Sequence, residues 1–170
     1  MRAGPALRRR PRVTAVDIMD AEVAALIHFL DAQRDSVLAI VDGLDETSLR
    51  ATILPSGWSP IGLIEHLGDA ERFWFQAVAT GSASDRSGYD RRHPEGVLAY
   101  YRDQCRRSNE VLATTSLSSA PVEEHGLDLE DDVTDLRWIA LHMIEETARH
   151  AGHLDVVREL LDGRTGLGPR

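Results

Sequence analysis

Apolar residues recur at steps of three and four along four stretches of this chain, and each stretch reads as an amphipathic helix. The first covers residues 16 to about 42 on Val23, Leu26, Ile27, Leu30, Val37, Leu38 and Val41, with Gly43 as its stop. The second opens at Ser59-Pro60, where Ser59 can cap the helix and Pro60 needs no N–H partner, and runs to about residue 80. Ile61, Ile64, Leu67, Phe73, Trp74, Ala77 and Val78 form its apolar face, and Gly81 follows it. The third starts at Pro94 and continues to about residue 115 on Val97, Leu98, Tyr101, Cys105, Val111 and Leu112. The fourth begins near residue 134 and ends before Gly163, with Leu136, Ile139, Ala140, Met143, Ile144, Leu154, Val157, Leu160 and Leu161 as apolar positions.

The intervening stretches lack periodicity. Residues 47–57 read as a connection punctuated by Pro55-Ser56-Gly57. Residues 81–92 are polar, carry Gly and Ser, and are long enough for a lid or binding segment. Residues 116–132 are acidic and broken by Pro121 and Gly126. No strand alternation or internal repeat stands out. Four helices of this length bury their stripes best against one another, so the expected fold class is all-α, a four-helix bundle with long connections. At 170 residues one domain suffices. It is expected over residues 14–166, between a disordered basic tail (1–13) and a short disordered tail (167–170).

Composition narrows the function classes. The net charge of -9 argues against a nucleic-acid partner. No run approaches the roughly 20 apolar residues of a membrane span, and the arginine-rich start lacks the apolar core of a secretory signal. All 19 basic residues are Arg, which fits GC-rich coding. A lone cysteine, Cys105, rules out an internal disulfide and a Cys-rich zinc site, fits a cytoplasmic setting, and reads as structural.

The chemistry concentrates in the fourth helix. Residues 141–153 hold three of the seven histidines. His142, Glu146 and His150 follow at steps of four, and His153 adds a step of three. Glu146 and His150 lie about 40° apart around the axis and one turn apart along it, so both can reach one ion. A catalytic zinc site needs another protein ligand and an open position. His66, mid-helix on an element expected to pack nearby, is the best candidate; His93 and His125 sit in or beside loops. The set His66, Glu146, His150 suits Zn²⁺ first, and also Ni²⁺, Fe²⁺ or Mn²⁺. His142 and His153 share nearly the same face, which leaves the inner ligand set open, and Glu145, Asp155 or a backbone carbonyl can hold a ligand's second nitrogen. Arg149 can clamp a substrate carboxylate or pair with Glu145 or Glu146. His28 reads as a core histidine, and Trp58, Trp74 and Trp138 as core or rim packing. Gly-x-Ser-x-Gly, His-Glu-x-x-His and phosphate-cradling glycine motifs are absent from the sequence.

These residues carry a likeness. Leu54-Pro55-Ser56-Gly57-Trp58-Ser59-Pro60 through Glu65-His66-Leu67, then Glu71-Arg72-Phe73-Trp74-Phe75, and most specifically Arg137 through His153 and on to Asp162-Gly163, resemble the DinB-like superfamily of metal-binding four-helix bundles. The likeness is to its actinobacterial branch of small proteins and spans most of the chain after about residue 16. It implies an up-down-down-up-like bundle with one ligand from the second helix and two from the fourth, here His66, Glu146 and His150. Many members have histidine where Glu146 stands; the mycothiol-dependent maleylpyruvate isomerase branch has glutamate, as here. His153 replaces a common glutamine, which leaves it as a fourth ligand or a neighbour of the ligands.

The resemblance implies a metal-dependent thiol S-transferase. A low-molecular-weight thiol such as mycothiol, activated on a divalent metal, would attack a small electrophile. Arg149 and His153 are candidate contacts for the thiol, and no catalytic base is assigned. The rival readings are a metal-assisted hydrolase with Glu145 or His153 as proton shuttle, a metal-binding bundle without turnover, and a structural helical protein. A homodimer through helix faces is a further expectation from the family.

Overall fold

The computed structural model describes residues 15–82, 85–122 and 133–166, with side chains of the first helix from Ala21 onward. The tails expected over 1–13 and 167–170, and His125, lie outside the described residues. Helices α1 (Ala15–Val41), α2 (Glu46–Arg50), α3 (Pro60–Glu71), α4 (Pro94–Thr114) and α5 (Leu136–Asp162) are present, and a π-helical segment, Arg72–Val78, continues α3. Among the described residues there is no strand. The described residues are therefore all-helical, with five helices where the hydrophobic pattern predicts four.

The predicted ends hold closely because their chemistry is local. Ser59 Oγ accepts from the N–H of Gly62, with Pro60 in the first turn. Asp135 caps α5 by accepting from the N–H of Trp138, so that helix starts slightly later than expected. Gly163, at φ 77°, closes it in the left-handed conformation that a glycine adopts without a Cβ penalty. The short α2 is an addition inside the expected connection. Asp45 accepts from Ser48 N–H at its start, and its five residues are too few to show a helical period.

Polar contacts set the helix directions. Arg137 reaches Glu22 near the starts of α5 and α1, and Arg158 donates to the carbonyls of Ile40 and Asp42 near their ends. These two helices therefore run the same way. α3 and α4 also run together, since Gly68 lies against Tyr100 and Glu71 near Cys105. They run opposite to the first pair, since Leu26 and Leu30 early in α1 share a cluster with Val78 and Leu112, while Val37 and Val41 near its end share one with Ile61 and Val97. Two parallel neighbours need a return connection, which is why residues 81–93 are long. That segment is tied down by charge rather than left open. Arg86 pairs with Asp69, Arg91 with Glu65, and Tyr89 donates to Asp103.

The interior is two apolar clusters separated by a polar belt. One gathers Val37, Ile61, Ile64, Leu67, Tyr101 and Leu154; the other gathers Leu30, Phe75, Leu112, Ile139 and Met143. Between them lie Arg34, Glu71, Gln104, Ser108 and Thr147, all buried, so that every long helix contributes. This belt corrects several expectations. The buried line of the second predicted helix passes through Ile64, Gly68, Glu71, Phe75 and Val78. Reading the apolar face around a glutamate put Phe73 and Trp74 on it instead, and both are only partly buried. Leu160 is 62% exposed, since the inner line of α5 ends on Val157 and Arg158. His28 is exposed, in edge contact with Phe29, and is not a core histidine. No helix among the described residues is long and apolar enough to cross a membrane.

Candidate metal centre

His66 and the pair Glu146–His150 come from α3 and α5, which run in opposite directions. Each helix is anchored on both sides of the site by its apolar seam: Ile64 and Leu67 flank His66, and Met143, Thr147 and Ala151 carry the other two. His66 Nε2 lies 3.2 Å from Glu146 Oε1, and His150 Nε2 lies 3.0 Å from the same oxygen. The two imidazoles meet edge to face with centroids 4.9 Å apart. Among the described residues these three form the group of His, Cys, Asp or Glu able to hold an ion, with one ligand atom from each lying within 4.8 Å of the others.

The spacing and the donor set both fit a small divalent ion. Ligands about 2.1 Å from a tetrahedral centre lie about 3.4 Å from one another, close to the distances here. Burial alone would push the Glu146 carboxyl up, but hydrogen bonding from His66 and the charge of His150 hold it below the ordinary carboxylate range. Burial pushes the His150 imidazole down, and the Glu146 carboxylate does not reverse this. Both shifts favour the deprotonated forms, carboxylate and free imidazole, that a metal requires. His150 Nδ1 is buried and makes no hydrogen bond, so protein groups alone leave this ring incompletely satisfied.

The other predicted residues divide around this point. Arg149 pairs with Glu145 and also approaches Glu146 Oε2 at 3.5 Å, so it sits at the rim of the triad. Its side chain is 65% exposed. His153 faces the loop before α3, its Nε2 3.4 Å from Ser56 Oγ. His142 is one turn before Glu146 yet belongs elsewhere: it stacks on Trp138 at 5.1 Å and meets the edge of Trp74 at 4.7 Å. His93 lies beside Asp90 at the start of α4. Neither expected side-chain partner reaches His150 Nδ1. Glu145 is taken by Arg149, and Asp155 accepts from the Gly166 N–H.

Trp58 is the neighbour that the sequence reading missed as a site residue. Its ring centroid is 5.4 Å from that of His66. The signal was present: Trp58, Gly62 and His66 recur at steps of four across the start of a helix. Cys105 stands apart, 4.0 Å from Glu71 in the polar belt. Burial, with the Glu71 carboxylate, pushes its thiol well above the ordinary range, so it is no ready nucleophile.

No curated protein matches the chain at a significant level. The family model described as Mycothiol-S-transferase matches residues 25–163, which takes in α3, α4, α5 and most of α1. A match over that much of the sequence, reaching across all three residues of the triad, makes this chain a member of the mycothiol S-transferase family, a DinB-like family.

Proposed function

We propose that this protein is a metal-dependent thiol S-transferase, with mycothiol as the thiol and His66, Glu146 and His150 as the metal ligands. The observation that carries the reading is the convergence of two imidazole nitrogens on one carboxylate oxygen, from two different helices, at 3.2 and 3.0 Å. The family match supports the thiol. The four long helices, α1 and α5 running one way and α3 and α4 the other, are read as a DinB-like four-helix bundle forming one domain. In that arrangement the triad lies in the seam between α3 and α5.

A divalent ion, zinc first among the candidates, would supply Lewis acidity that lowers a bound thiol's pKa and keeps the sulfur anionic near neutral pH. The chain's own part is organisation. Glu146 and His150 are both shifted toward the deprotonated forms that an ion would bind. His66, Glu146 and His150 would hold the ion as three protein ligands, fewer than a closed structural site uses. Arg149, exposed at the rim, offers a planar cation to an amide or hydroxyl oxygen of the thiol, and His153 with Ser56 offers polar contacts beside it. In the overall reaction the thiol sulfur forms a bond to the electrophilic carbon. The leaving group departs with its bonding pair, and the thiol proton is released to solvent.

The test is metal analysis of the purified protein followed by incubation with mycothiol and a chromogenic aryl halide, with the adduct followed by mass. Stoichiometric metal and thioether formation well above the uncatalysed rate are expected. Absence of metal uptake after chelation, or ester hydrolysis in place of adduct formation, overturns the reading.

A further inference from the structure

The three tryptophans have different surroundings. Trp74 and Trp138 pack against the apolar cluster around Phe75 and Met143. Trp58 belongs to neither cluster and is 39% exposed. It precedes the capping Ser59 and folds back over the first turn of α3. A Cβ placed on Gly62 would lie 3.8 Å from Trp58 Cε3, an ordinary contact distance, so the indole covers this turn of the helix and, one turn on, meets His66. The ring planes of Trp58 and His66 are inclined by 48°. A large aromatic side chain thus lies beside a triad residue, with part of its surface left to solvent.

We propose that Trp58 is the platform for the electrophilic substrate, its exposed indole taking the flat unsaturated or aryl part of the molecule that the thiol attacks. This rests on the transferase reading above. Carbon attacked by a thiolate must be electron-poor, and an electron-poor planar group stacks favourably on the electron-rich indole face. The contact with His66 places that group next to the triad rather than at a remote surface. Ser59 and Pro60 fix the backbone immediately after Trp58, so the platform is set by the same cap that starts α3. Trp58 is a specificity residue in this account. It touches substrate and supplies no ligand to the metal.

The metal-loaded full chain is titrated with two conjugates of mycothiol, the S-(2,4-dinitrophenyl) and the S-methyl thioethers, and binding is read by calorimetry. The wild-type protein is expected to prefer the aryl conjugate by about threefold to tenfold, the range that an aromatic pair supplies beyond its area. Trp58→Leu is expected to remove that preference and Trp58→Phe to keep most of it, with metal stoichiometry unchanged in both. In turnover, Trp58→Leu should raise KM for the aryl electrophile with little change in kcat. An unchanged preference in Trp58→Leu overturns the proposal. Equal weakening of both conjugates, or loss of metal, assigns Trp58 to packing and also overturns it, and Trp58→Phe guards against a folding artefact. If the metal-loaded wild-type protein binds neither conjugate nor mycothiol itself, the transferase reading fails and the platform falls with it.

Discussion

Arg34 and Glu71 form a two-pronged ion pair in the middle of the molecule. Arg34 Nε donates to Glu71 Oε1 at 2.8 Å and Nη2 to Oε2 at 2.6 Å, with the side chains 3% and 0% exposed. Burial opposes the charge on Arg34, but the Glu71 carboxylate overrides it and holds the guanidinium firmly protonated. Asp31 and Asn109 complete the network from α1 and α4. Glu71 is therefore the residue that lets the buried line of α3 cross the polar belt. Glu71→Ala leaves a buried cation without its main partner, so it should lower stability by about 3–5 kcal/mol. Replacing both by methionine (Arg34→Met with Glu71→Met) should recover most of that loss. Denaturant unfolding of the three proteins checks it; a double variant no more stable than Glu71→Ala would refute the pairing argument.

Metal binding should depend on three side chains unequally distributed in the sequence. His66→Ala, Glu146→Ala and His150→Ala are each expected to weaken binding beyond the about 10–100-fold that loss of an outer contact causes. His93→Ala and His142→Ala should leave it near the wild-type value, because those rings lie against Asp90 and against Trp74 and Trp138. Competition with a chromophoric chelator reads all five.

At Gly68, α3 packs tightly against α4. A Cβ there would lie 2.8 Å from Tyr100 Cε1 and 3.4 Å from Tyr101 Cα. The tyrosine ring can shift only by loosening its hydrogen bond to Asp69 (2.7 Å). Gly68→Ala should destabilise the protein by about 1–3 kcal/mol despite the better helix propensity of alanine. Thermal unfolding provides the measurement, and an increase in Tm would show that the seam has slack.

Acid should release the segment before α4 through Asp103. Burial raises the pKa of this carboxyl, but hydrogen bonds from Tyr89, Arg107 and Arg106 outweigh it and set the value at about 2. Since the folded value is depressed, the unfolded chain binds the proton first as pH falls. The stabilisation is complete above about pH 4, the unfolded range, and is lost as pH drops toward 2. Asp103→Asn should therefore show a shallower loss of stability between pH 4 and 2 than the wild-type protein. Parallel curves would place the acid sensitivity elsewhere.

Cys105, half-buried beside Glu71, should behave as a thiol that ionises reluctantly. In the native protein at pH 8 it is expected to react with a disulfide reagent far more slowly than a free thiol, and at the ordinary rate in denaturant. Rapid native labelling would contradict its place beside Glu71 and Arg34.

The sequence by itself determined the all-helical class, most helix ends and the Glu146–His150 pair. Those features are local: a cap, a proline, a glycine at positive φ, or two side chains one turn apart depend on neighbours within a few residues. His66 could be nominated because it sits mid-helix, but its meeting with Glu146 joins residues 80 positions apart and is a product of packing. Tertiary structure alone decided the polar belt, the burial of Glu71, the exposure of Leu160 and the removal of His142 to the tryptophans. A hydrophobic pattern counts a charged position as outward-facing. It cannot register that Arg34, on another helix, supplies the opposite charge that lets Glu71 turn inward.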